Sequence, residues 1–221
     1  MSLSFTIHWD ASLSPLPKFS PSSLFSIEVG LDGIEGHVYA FGDLNSDKYT
    51  DLFVVRSDKK FLDIYLWSHD DYRFNLISDS SVHFPNGSIT NVVPGDFNND
   101  GRLDVLIEGR RHMMSSLSPV TMRLHLGDHK AIEDYPIWEG SASDEVLVFD
   151  ADADLWMDLF GVDPASGVGV VWKNNRQTQT SFDVSPASFI GIDSIPESFL
   201  CDIRDLFYFY RYPRLDEICW K

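Results

Sequence analysis

The sequence predicts an all-β chain of β-propeller blades, each about 53 residues long, that together make an incomplete propeller. Three observations carry this prediction. A nine-residue acidic pattern, D-x-[DN]-x-D-x-x-x-D, occurs three times, at residues 43–51, 96–104 and 150–158. The starts lie 53 (96 − 43) and 54 (150 − 96) residues apart, so the pattern belongs to a repeated structural unit. Short apolar, β-rich runs flank every copy, and no stretch shows helical periodicity.

Residues 1–32 form a Ser/Pro-rich N-terminal extension, with Ser12, Ser14, Pro15, Pro17, Ser20 and Pro21 among them. Blades are expected over 33–200. In the first, a strand at 38–41 enters the acidic loop and one at 52–55 leaves it, followed by strands at 61–67 and 72–77. The second blade offers 91–93, 105–107 and 121–126, the last with clean period-2 alternation. The third offers 146–149, 159–162 and 168–172. A fourth loop is due at 197–205, where Glu197, Cys201 and Asp205 do not complete the pattern, and 201–221 is a divergent aromatic tail. Propellers close with about four to eight blades. Three clear blades and one degenerate one therefore predict an open ring prone to self-association.

The acidic pattern has the chemistry of a calcium loop. Side-chain oxygens at positions 1, 3, 5 and 9 converge on one hard cation, and the position-7 backbone carbonyl adds a ligand. The candidate ligands are Asp43, Asn45, Asp47, Tyr49 and Asp51 in the first loop. They are Asp96, Asn98, Asp100, Arg102 and Asp104 in the second, and Asp150, Asp152, Asp154, Trp156 and Asp158 in the third. Up to three Ca²⁺ are expected. An EF-hand is excluded because it needs a bidentate Glu at position 12, where this chain has Val54, Ile107 and Gly161. One such pattern alone would be read as a solvated turn; three with identical flanks would not. Gly101 occupies position 6 of the second loop, against Lys48 and Leu155 in the others, so the second loop is expected to form best.

A net charge of −17 excludes nucleic acid as a partner, since phosphate binding needs a basic surface. No apolar run reaches the ~18 residues of a membrane helix, and Met1 to Asp10 lacks signal-peptide features, so no direct membrane insertion by this chain is expected. Cys201 and Cys219 leave the redox compartment open. Asn86-Gly87-Ser88 is an N-glycosylation acceptor sequence at Asn86. His125 and His129 have metal-like spacing only for a helix, and they lie across a strand-like alternation and Gly127. No nucleophile elbow, phosphate loop or HExxH pattern occurs, and a catalytic pair would appear once rather than three times. No enzyme is expected.

Phe41-Gly42-Asp43 and Val93-Pro94-Gly95-Asp96 stand where FG-GAP repeats, the blade units of integrin α-subunit propellers, enter their calcium loops. The chain resembles that family over roughly 33–165. The resemblance implies a propeller that binds calcium in an extracellular or cell-surface adhesion or signalling ectodomain, with a protein partner of unknown identity. A second reading is a carbohydrate-binding propeller or an accessory domain of a polysaccharide-active enzyme, in which Trp67, Trp138 and Trp172 stack on sugars.

Overall fold

A computed structural model describes residues 29–78, 80–111, 118–178 and 181–187. The region due for a fourth loop, both cysteines, the aromatic tail and most of the N-terminal extension lie outside them. Thirteen strands and no α-helix occur among the described residues. The first sheet runs in the order β1 (Gly36–Gly42), β2 (Asp51–Arg56), β3 (Phe61–Ser68) and β4 (Arg73–Leu76), and β5 (Val82–His83) pairs with the start of β3. The second holds β6 (Ser88–Gly95), β7 (Asp104–Arg110), β8 (Val120–His125) and β9 (Trp138–Ala142). The third holds β10 (Leu147–Phe149), β11 (Asp158–Val162), β12 (Gly169–Asn174) and β13 (Phe182–Pro186). All pairings are antiparallel, and in each sheet the acidic loop joins the first strand to the second.

Strand alternation decides how the sheets pack. On β2, Phe53 and Val55 face the second sheet, while Leu52 and Val54 face away and are covered by Leu31, Ile34, Val38 and Phe74. On β7, Val105 and Ile107 meet the first sheet and Leu106 meets the third. The middle sheet is therefore buried on both faces, which is why Val105, Leu106 and Ile107 are apolar in succession. Each fully buried Leu or Ile there contributes about 1.5–3 kcal/mol. Two arginines at the ends of second strands make lateral ion pairs, one within the first sheet and one toward the third. Arg56 forms a two-nitrogen pair with Asp63, at 2.6 and 2.8 Å, and Arg110 reaches Asp144 at 2.5 Å just before the third sheet.

Every strand expected from the sequence is present, and β1, β6 and β7 run three to five residues longer than expected. β5, β9 and β13 are additional to the strands the sequence predicts. They are outer-edge strands with polar or glycine-containing sequences, paired on one side only. β6 runs through Pro94, a residue tolerated there because β6 pairs only with β7 and its other edge carries no ladder.

Glu108 is the exception in the apolar middle strand. Its Oε1 accepts the Val146 N–H at 2.8 Å and its Oε2 accepts Asn91 Nδ2 at 2.9 Å, so one buried carboxyl links β6, β7 and the entry to the third sheet. Burial pushes its pKa up to about 7, above its ordinary carboxylate value. The folded state thus holds this proton more tightly than the unfolded chain. Its stabilisation is complete below the unfolded value and is lost as pH rises through about 7. Glu108→Gln should flatten that loss. Between pH 5 and 8 the native chain is expected to lose on the order of 2–3 kcal/mol more than the variant, measured by urea unfolding at each pH.

Candidate metal centres

The three acidic loops share one hydrogen-bond scheme. The position-1 carboxylate accepts the N–H groups of positions 5 and 6: Asp43 from Asp47 and Lys48, Asp96 from Asp100 and Gly101, and Asp150 from Asp154 and Leu155, all at 2.9–3.0 Å. The position-5 carboxylate accepts the N–H of position 7. Asp47 takes Tyr49 and Asp154 takes Trp156, both at 2.8 Å, and Asp100 takes Arg102 at 2.9 Å. Each loop is thus coiled around its own carboxylates, as Asx-type bonding favours.

Position 9 does something different. Asp51, Asp104 and Asp158 open the second strand of their sheets and are 0–1% exposed. One oxygen accepts the N–H of position 2 (Leu44, Phe97 or Ala151) at 2.8–2.9 Å. The other accepts a backbone N–H at the end of the third strand, from Trp67, Gly127 or Asn174, at 2.8–3.0 Å. Burial pushes all three carboxyls up, that of Asp104 to about 6. Their charged neighbours are other carboxylates: Asp47 and Asp43 act on Asp51, Asp100 on Asp104, and Asp152 and Asp154 on Asp158.

The donor set fits a hard divalent cation best in the third loop. There oxygens of Asp150, Asp152 and Asp158 lie within 4.8 Å of one another, a spacing that ligands about 2.3–2.6 Å from a shared Ca²⁺ can span. Lys173 Nζ lies 3.3 Å from Asp152 and Arg176 pairs with Asp154, so two cations offset the extra charge of this loop. In the first two loops position 3 is Asn. Asn45 and Asn98 donate Nδ2 to Asp47 and Asp100 at 2.9 and 3.0 Å, and a half-turn of either amide presents Oδ1 instead.

Glycine at position 6 does not give the second loop a backbone of its own. All three loops adopt left-handed backbone at positions 4 and 6. Ser46, Asn99 and Ala153 have φ of 59°, 56° and 61°, and Lys48, Gly101 and Leu155 have 72°, 80° and 71°. The carboxylate bonds hold Lys48 and Leu155 where glycine would sit without strain. The other flagged residues lie apart from the loops' carboxylates. Asn86 is exposed in the turn before β6, His125 is buried with Nδ1 2.8 Å from the Glu133 carbonyl, and His129 is on the surface.

Packing between loops could not be read from the sequence. An added Cβ on Gly42, just before the first loop, would lie 2.6 Å from Leu103 Cδ2, at position 8 of the second. On Gly95, just before the second loop, it would lie 2.6 Å from Met157 Sδ, at position 8 of the third. Each glycine is a bare notch for the next loop's side chain. Asn174 adds a polar link, donating Nδ2 to the Phe97 carbonyl at 2.7 Å while its own N–H holds Asp158.

Two substitutions test this geometry. Leu155 is 85% exposed, so Leu155→Gly removes left-handed strain without losing core contact. It should raise stability by up to about 1 kcal/mol in a denaturant melt, part of the gain being offset by unfolded-chain entropy. Gly42→Ala should destabilise more than Gly95→Ala by the same measurement, because a thioether yields more readily than a branched leucine.

The comparisons agree with this architecture. Residues 43–107, spanning the first two loops, match the FG-GAP-like repeat. The chain is similar to T-cell immunomodulatory protein of Homo sapiens, with 32% identity over 206 residues, 86% of this chain and 32% of that protein. Protein linkin of Caenorhabditis elegans is 28% identical over 153 residues, 65% of this chain and 25% of linkin. A T-cell immunomodulatory protein homolog of Plasmodium falciparum is 40% identical over 94 residues, 41% of this chain and 12% of that protein. The chain therefore spans about a third or less of each relative's length. With two acidic loops and their flanking strands inside the matched range, residues 43–107 belong to the FG-GAP-like repeat family, within a chain similar over most of its length to T-cell immunomodulatory protein.

Proposed function

We propose that the chain is a non-enzymatic, calcium-binding propeller segment that binds another protein at the cell surface or outside the cell. One observation carries the calcium part. Three carboxylates are buried at the same position of three loops, and the charges that act most strongly on each are further carboxylates. Buried charge of one sign is costly unless a counter-ion meets it. Calcium, when bound, supplies that positive charge and six to eight coordination positions. The side chains of positions 1, 3, 5 and 9 and the carbonyls of Tyr49, Arg102 and Trp156 would hold it. Position 9 would contribute most to rigidity, since its carboxylate already joins the loop to the third strand.

The protein-interaction part rests on the FG-GAP-like repeat and on relatives named for immunomodulation. The threefold repetition of the acidic pattern supports structural rather than catalytic use. Ser46 Oγ lies 3.1 Å from His129 Nδ1, but among the described residues no carboxylate bonds the other ring nitrogen, so the pair lacks the orienting acid of a nucleophilic site. The sugar reading is weakened because Trp172 is buried and Trp138 packs against Phe182 with ring centroids 4.6 Å apart. Asn86 stands exposed, where a glycan would be accommodated. No helix among the described residues is long and apolar enough to cross a membrane.

Calcium should raise the melting temperature by several degrees over chelated protein at millimolar CaCl₂, because a ligand held only by the folded state stabilises it by mass action. Magnesium should substitute poorly, given its tighter octahedral demand. Asp158→Asn should lower calcium affinity, read by isothermal titration. Superimposable melts with and without calcium would defeat the calcium reading.

A further inference from the structure

We propose that the groove between the first acidic loop and the β3–β4 hairpin docks an arginine side chain of a protein partner. This deepens the interaction reading and rests on its claim of a protein partner, but it does not require calcium. The groove has a volume of about 450 Å³ and is lined in part by Asp47, Leu66, His69, Asp70, Asn75 and Leu76. That volume suits one long side chain and its neighbours. Its lining carries two carboxylates and no Lys or Arg. The Asp70 carboxylate and the Asn75 side-chain amide make no hydrogen bond within the described residues. Both are exposed, so their acceptors are open to an incoming guanidinium, and Leu66 and Leu76 offer apolar surface for the methylene stem.

Three rings stand at the same end of the sheet. Tyr49 stacks on His69 with centroids 4.8 Å apart and planes 10° from parallel, and His69 continues to Tyr72 at 5.2 Å. Tyr72 is the telling member. It sits in the β3–β4 turn at φ 51°, a conformation that side chains disfavour, yet it is 62% exposed. The turn itself is fixed by Ser68 and Asp71, whose side chains bond at 3.1 Å. An exposed aromatic in strained backbone, contributing little to the core, points to recognition. Planar guanidinium stacking on such rings, with carboxylates beside them, is the mode that arginine serves and lysine serves less well.

The test titrates the ¹⁵N-labelled full chain with N-acetyl-Gly-Arg-Gly-amide. The Lys and Glu counterparts and methyl α-mannoside serve as comparisons, each in calcium and in chelator. The Arg peptide should saturably shift the Asn75 side-chain amide and the His69 signals in both buffers. It should bind at least about threefold more tightly than the Lys peptide, and more weakly as salt rises. Tyr72→Gly relieves the turn rather than the core, so its melt should be no lower than that of the native chain, while its binding falls at least about fivefold. Asp70→Asn should weaken binding similarly. Shifts from mannoside alone, equal shifts from the Glu peptide, no shifts at all, or full binding by a folded Tyr72→Gly variant would each overturn the proposal. A null titration beside intact calcium stabilisation would strike this groove and leave the broader interaction reading standing.

Discussion

Everything in the described fold hangs on a buried aspartate at the start of each sheet's second strand. Asp51, Asp104 and Asp158 each bridge two backbone N–H groups, one in the acidic loop and one at the end of the third strand. A single side chain therefore sets the path of a turn and the end of a non-adjacent strand together. Asparagine in the same place could accept only through one oxygen, so the double bridge needs a carboxylate. The negative charge comes with that geometry, and the burial that makes the bridge effective also raises the cost of the charge. The candidate metal ligand and the structural staple are here the same carboxylate.

The sheets are bound to one another by a different means. Apolar side chains alternate across β2, β7 and β12 into two shared cores, leaving the middle sheet without a free face. At the loop ends, glycines admit Leu103 and Met157 from the following unit, and Asn174 carries a hydrogen bond across the same boundary. Neighbouring acidic loops are thus in direct mechanical contact. A change in one is transmitted through packed side chains rather than through long-range electrostatics.

The loops and their flanking strands were legible because their determinants are local. Oxygen side chains at fixed intervals and short apolar runs need no knowledge of distant residues. β9 and β13 were illegible for the opposite reason. Residues such as Glu139, Gly140 and Asp183 carry no strand signal and take their conformation from β8 and β12 alongside them. The conformation of position 6 is not set by glycine alone, since Gly101 N–H is also held by the Asp96 carboxylate. The equivalent bonds from Asp43 and Asp150 hold Lys48 and Leu155 in the same conformation. Gly42 and Gly95 could be seen in the sequence, but their function as notches depends on a residue some sixty positions away.

That notch arrangement makes the succession of sheets polar. Each unit receives a key from the one after it and offers its own key to the one before. The third unit breaks the sequence, because Phe149 stands where Gly42 and Gly95 stand in the first two. The two described junctions are therefore keyed by glycine notches, and that notch is not repeated before the third loop.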